Sequence, residues 1–152
     1  MTIATDKLTE TIIAHEGQAR FVYKDSKGYS TIGCGRNVDA RGGRGLTFDE
    51  QNFLLRNDID LCRLQLSGLS AYELSDQVRA DVLCELCFNM GITRLMEFKK
   101  MLQAFVKKDY PLAEKELMNS AWPKEVSASR ASNICYRIVN GAYPDENRTG
   151  GD

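Results

Sequence analysis

A helix that must stop at a glycine and a hairpin that must begin a few residues later share one stretch, His15–Arg36, reading HEGQARFVYKDSKGYSTIGCGR. Leu8 and Ile12 follow polar Thr5 and Asp6, the pattern of a short amphipathic helix capped at its start. Gly17 suits the position just past the helix end, because glycine enters the left-handed region without a Cβ clash. Glu16 then occupies the last turn, where the negative end of the helix dipole disfavours a charged carboxylate. That favours the proton-bearing form a general acid needs. Phe21–Tyr23 and Tyr29–Ile32 are β-prone runs joined by Lys24-Asp25-Ser26-Lys27-Gly28, a hairpin signal with Asp and Gly in the turn. Gly33 and Gly35, at alternate positions of the second strand, predict a close approach to the backbone by a sugar ring or a neighbouring helix. Each residue also has a plain reading, as a solvated Glu, a turn Asp and a strand Thr. Only in combination do Glu16, Asp25 and Thr31 point to a site.

The rest of the chain reads as helical support. Thr47-Phe48-Asp49-Glu50 is a capping box opening a helix to about Leu66, with Leu55, Ile59, Cys62 and Leu66 on one stripe. Asp76 caps the next predicted helix, whose Val78, Val82, Leu83, Leu86, Cys87 and Met90 give the wide apolar face of a central bundle helix. Gly91 closes it. Thr93 is a candidate cap for a helix carrying Leu95, Phe98, Leu102 and Phe105. Tyr110–Pro111 opens a short helix through Met118, and Trp122–Pro123 breaks it. Ser127 or Ser129 then caps a last helix with Ala131, Ile134, Cys135 and Ile138, ending at Asn140–Gly141. With 152 residues, 43% of them hydrophobic, one domain with a buried core is expected. Residues 145–152 read as a flexible tail.

Composition also excludes function classes. No apolar run is long enough to span a membrane, and the first twenty residues show no basic start followed by an apolar segment, so no export signal is expected. A formal charge of −1 and a pI near 5.9 argue against nucleic acid as partner, since phosphate binding wants a basic face. The one basic cluster, Arg36, Arg41 and Arg44 in RNVDARGGRG, reads as solvated arginines in a mobile glycine-rich loop. Five cysteines, Cys34, Cys62, Cys84, Cys87 and Cys135, cannot all pair within one chain, which points to reduced thiols. Cys84-x-x-Cys87 has no second pair, and the single histidine is His15. No metal or organic cofactor is expected.

The opening stretch resembles the phage-type lysozyme (endolysin) family. The family pattern is a Glu before a Gly, an Asp in a Y-x-D-x-x-G-Y turn and a Thr in T-I-G-x-G. Here it stands without a gap as Glu16-Gly17, Tyr23-Lys24-Asp25-Ser26-Lys27-Gly28-Tyr29 and Thr31-Ile32-Gly33-Cys34-Gly35. Phe88-Asn89-Met90-Gly91 looks like the family's F-Q-M-G, whose amide faces the cleft. Trp122 falls where the family keeps a tryptophan, and Arg130 where it keeps an arginine that pairs with the catalytic Glu. Asn37 falls on a sugar-contacting position, as do Met101 and Glu116, all with altered residue types.

The resemblance implies an α+β, mainly helical fold in which a small antiparallel hairpin lobe (about 16–46) is joined by a long helix (about 47–67) to a helical-bundle lobe (about 68–144, with the first helix). It implies a monomeric muramidase that hydrolyses the β-1,4 bond between N-acetylmuramic acid and N-acetylglucosamine of bacterial peptidoglycan. Glu16 is then the general acid, Asp25 and Thr31 hold water, and Asn37, Phe88, Asn89, Trp122 and Arg130 contact substrate or shape its site. The inverting scheme it favours places the carboxyl groups about 6.5–9.5 Å apart. A role for the arginine loop in touching the wall is an alternative to plain solvation. For a phage enzyme without an export signal, cytoplasmic accumulation and release through a permeabilised membrane are expected. A lytic transglycosylase and a catalytically dead peptidoglycan-binding module stand as the alternatives. Retention of all three of Glu16, Asp25 and Thr31 counts against both.

Overall fold

The structure, a computed structural model, describes residues 6–145. The cap expected with Thr5 and nearly all of the expected tail lie outside them. Two compact units divide the chain between Leu54 and Leu55. The first contains α1 (Lys7–Glu16), the strands β1 (Ala19–Lys24), β2 (Ser30–Gly33) and β3 (Arg36–Asn37), and the start of α2 (Phe48–Leu66). The second contains the rest of α2 and then α3 (Ser70–Glu73), α4 (Gln77–Met90), α5 (Ile92–Glu97), α6 (Lys99–Val106), α7 (Tyr110–Met118), α8 (Trp122–Glu125) and α9 (Ala128–Asn140). The fold is mainly helical α+β with a small antiparallel sheet, as the sequence implies.

In the first unit Asp6 caps α1, accepting a hydrogen bond from Thr9 N–H at 2.7 Å. Leu8 and Ile12 are exposed. The sheet runs β1-β2-β3, with Tyr23 opposite Thr31 and Lys24 opposite Ser30, and an irregularity between Ala19 and Tyr23. The third strand replaces the start of the expected mobile loop: Thr31 pairs with Asn37 and Ile32 with Arg36. At the mouth of α2 the capping box forms, with Glu50 N–H donating to Thr47 Oγ1 at 3.2 Å and Thr47 N–H to Glu50 Oε2 at 3.4 Å.

In the second unit the stripe on α2 sinks inward along the helix, from Leu55, 43% exposed, to Leu66, fully buried. Leu66 joins Val82, Leu83, Leu86, Leu95, Met101, Leu117, Trp122, Ile134 and Ile138 in one apolar core. Asp76 caps α4 and Ser127 caps α9, each accepting from the backbone N–H three residues on. Two expectations fail here. The helix expected from Thr93 is two helices, because Phe98 leaves helical geometry (φ −78°, ψ 56°). Gly91, not Thr93, precedes the first of them. Trp122–Pro123 does not merely break a helix: with its ring in the first turn, where an N–H has no partner to lose, Pro123 opens the short α8.

Arg79 binds the far end of the bundle together. Its Nε donates to Ile138 O at 2.7 Å and its Nη2 to Val139 O at 3.0 Å, so it caps the last carbonyls of α9. The same guanidinium lies over the Tyr110 ring at 3.4 Å. Leu86, fully buried among these helices, tests the core. Leu86→Ala should cost the second unit about 2–5 kcal/mol in urea-induced unfolding followed by circular dichroism, through lost transfer energy plus a residual cavity.

Candidate active site

Glu16 is the last residue of α1, and Gly17 closes the helix in a conformation (φ 73°, ψ −177°) that glycine tolerates. The Gly17 N–H donates to Ile13 O at 2.8 Å, so the chain turns sharply with the Glu16 side chain exposed beside the hairpin. Its carboxyl lies against Gly35, where a Cβ would sit 3.0 Å from Glu16 Oε2 and 3.3 Å from Cδ. Of the two glycines where a close approach is expected, only Gly35, just past the end of β2, receives one, and it comes from this acid; nothing lies within 4 Å of a Cβ built on Gly33. Gly35 also has φ +82°, so a side chain there would strain the backbone as well as push the Glu16 carboxyl aside.

Asp25 organises the β1–β2 turn. Its Oδ1 accepts from Lys27 N–H at 2.9 Å and Tyr29 N–H at 2.8 Å, while its own N–H donates to Tyr29 O at 3.0 Å. Both side-chain bonds fall on Oδ1, which leaves Oδ2 as the oxygen that can meet solvent. Thr31, 4% exposed, stands on β2 with Oγ1 donating to Tyr29 O at 3.0 Å. Because the hydroxyl proton is spent on that carbonyl, Oγ1 presents lone pairs and can accept from a water. Glu16, Asp25 and Thr31 thus belong to one unit, and Asp25 and Thr31 lean on the same residue, Tyr29.

The remaining expected site residues have particular duties. Asn37 is half-buried, and its Oδ1 accepts from Asp39 N–H at 2.9 Å. It shapes the loop after β3, where a Cβ on Gly43 would lie 2.4 Å from that oxygen. In the second unit, Phe88 is exposed and shares a cavity of about 370 Å³ with Ile59, Glu85 and Arg130. Arg130 pairs with Glu85 at 3.8 Å, and the buried Arg137 donates to the same carboxylate. Asn89 is exposed, with Oδ1 held by the indole N–H of Trp122 at 2.8 Å. Trp122 is a correction. Fully buried, it offers no face to a sugar and acts from behind by orienting the Asn89 amide.

The arginine loop is a second correction, since it is tied down rather than free. Arg36 donates to Glu50 Oε2 at 2.5 Å and to Gly45 O at 3.1 Å. Arg41 grips buried Asp39 through Nε and Nη2 at 2.8 and 3.0 Å. These bonds hold the Asp39 carboxyl, and Arg36 holds that of Glu50, below the usual carboxylate range. Sequence reasoning missed Asp39; the alternating Asn37, Asp39 and Arg41 were its only trace. Among the described residues no three His, Cys, Asp or Glu side chains gather as metal ligands. Burial pushes the Cys87 thiol up to about 12 and the Cys135 thiol to about 11, which keeps both protonated and unreactive.

A depressed carboxyl stabilises the fold at pH above its unfolded value and loses that contribution as pH falls. The hairpin amides should therefore melt at progressively lower temperature as pH is taken below about 4, as read by NMR. Asp39→Asn should flatten that dependence while lowering the melting temperature at pH 7.

The sequence model of the phage lysozyme family matches residues 13–134. A relative described as "Probable T4-type lysozyme 1", from Dictyostelium discoideum, is 25% identical over 153 residues, which span 83% of this chain and 89% of that protein.

Proposed function

The chain belongs to the phage lysozyme family, and from that premise we propose that it is a muramidase cutting the β-1,4 bond between N-acetylmuramic acid and N-acetylglucosamine. Family membership supports a lysozyme-type, peptidoglycan-hydrolysing function. The finer reading rests on one observation: the Glu16 carboxyl lies on Gly35, in the β2–β3 turn of the same small sheet whose β1–β2 turn carries Asp25 and whose strand β2 carries Thr31.

In this reading Glu16 gives its proton to the glycosidic oxygen as the C1–O bond breaks. A water held between Asp25 Oδ2 and Thr31 Oγ1 attacks C1 from the opposite face of the sugar. That water donates one hydrogen to each of these acceptors, which turns one of its two free lone pairs toward carbon. Its proton passes to Asp25, whose negative charge also stabilises the oxocarbenium-like transition state. The products are a free reducing end with inverted configuration and a free 4-hydroxyl on the leaving sugar. On the second unit, the exposed ring of Phe88 and the Asn89 amide are proposed glycan contacts. Among the described residues no helix is long and apolar enough to cross a membrane.

Glu16→Gln should abolish clearing of outer-membrane-permeabilised Gram-negative cells, a loss of about 10²–10⁴ in rate, with the circular dichroism spectrum unchanged. Unchanged clearing would move the acid elsewhere. Gly35→Ala should also lose most activity, because the added methyl displaces the Glu16 carboxyl. Reducing ends of the α configuration are expected among the wild-type products; 1,6-anhydro ends would instead identify a transglycosylase.

A further inference from the structure

We infer that Asp39 and Arg41 are positioning residues for the reaction, a paired clamp that fixes from behind the short backbone segment on which Asp25 and Thr31 depend. The inference rests on the muramidase reading and adds to it a part of the machinery that touches no substrate.

Three consecutive residues, Gly28, Tyr29 and Ser30, run from the end of the turn to Thr31, and the clamp holds each of them. Arg41 Nη2 donates to Gly28 O at 3.0 Å. The Arg41 guanidinium lies over the Tyr29 ring at 5.0 Å. Asp39 Oδ2 accepts from Ser30 N–H at 3.0 Å. The catalytic side chains use the same segment from the other side. Tyr29 N–H donates to Asp25 Oδ1, and Tyr29 O accepts the Thr31 hydroxyl. The backbone of residues 28–30 is therefore a shared plank.

The pair itself is fully engaged. Besides Ser30, the Asp39 carboxylate takes Arg41 N–H on Oδ1 at 2.9 Å and the Arg41 fork on both oxygens. The Asp39 side chain is 8% exposed, yet that of Arg41 is 65% exposed. The arginine fills no core, so its contribution is directional bonding, together with its attraction to the Asp25 charge. A catalytic group displaced by about 1 Å can lose on the order of 10²-fold in rate. A plank free to rock would cost turnover while leaving glycan affinity alone.

The test measures kcat and KM on soluble, uncross-linked peptidoglycan chains, beside the melting temperature of each variant. Arg41→Ala is expected to lower kcat about 10–100-fold with KM within about twofold. Asp39→Asn should do the same, because its amide NH₂ turns donors toward donors. Arg41→Lys should recover part of the loss, since an ammonium keeps the charge without the planar fork. Arg44→Ala, which removes a charge from the same loop, should leave kcat unchanged. Wild-type kcat in Arg41→Ala overturns the inference, as does a rise in KM alone or a drop in melting temperature alone. If Asp39→Asn does not fold, Arg41→Ala decides the matter by itself. Asp25→Asn separates the two levels. Activity in that variant removes the muramidase assignment of Asp25, whereas an inactive Asp25→Asn beside a fully active Arg41→Ala removes only the clamp.

Discussion

A carboxylate withdrawn from water is tolerable only when hydrogen bonds replace its hydration, and the first unit is built around one. Among its described residues only Thr31 and Asp39 are buried, and both are polar. Phe21, Val22 and Phe48 stand largely in solvent, so apolar burial does little to choose this hairpin over its competitors. A slip of one residue would carry Ser30 N–H away from Asp39 and deprive the carboxylate of one of its hydrogen bonds, leaving it only those from Arg41. The correct β2–β3 register is the one that satisfies Asp39 in full, and with that register comes the placement of Thr31 opposite Asn37. Specificity here is ionic where other small domains draw it from packing.

The second unit reverses the arrangement. Its interior is aliphatic and aromatic, and among the described residues of this unit the one buried charged side chain is Arg137 of α9, paired with Glu85 of α4. Trp122 contributes volume to the core and, through its indole N–H, one direction to the surface at Asn89. Arg79 satisfies carbonyls that α9 cannot satisfy within itself. Each polar contact of this kind fixes an orientation that apolar packing, being non-directional, leaves open.

What is legible in the sequence is what depends on near neighbours. The caps at Asp6, Asp76 and Ser127, the box at Thr47–Glu50 and the glycine closing α1 each need only residues within one turn. The Asp25 turn and its flanking strands are equally local. Features that depend on distant partners are not legible. Arg36 reads as solvated because its acid, Glu50, lies fourteen residues on. Asp39 reads as an ordinary loop residue because Ser30 lies nine residues back. The break at Phe98 leaves no mark in a periodic run of apolar residues, and the burial of Trp122 depends on everything packed around it. For the candidate site, the three side chains proposed to react stand in an uninterrupted motif, whereas the supports behind them come from a glycine-rich segment whose composition resembles that of an untethered loop.

The distribution of sulfur has a practical consequence. Cys62, Cys84, Cys87 and Cys135 are enclosed, while Cys34 is exposed next to the glycine that receives the Glu16 carboxyl. A maleimide fluorophore or spin label applied to the native chain would thus attach at a single place without engineered substitutions. That tag would sit beside the acid and report on its surroundings as glycan arrives.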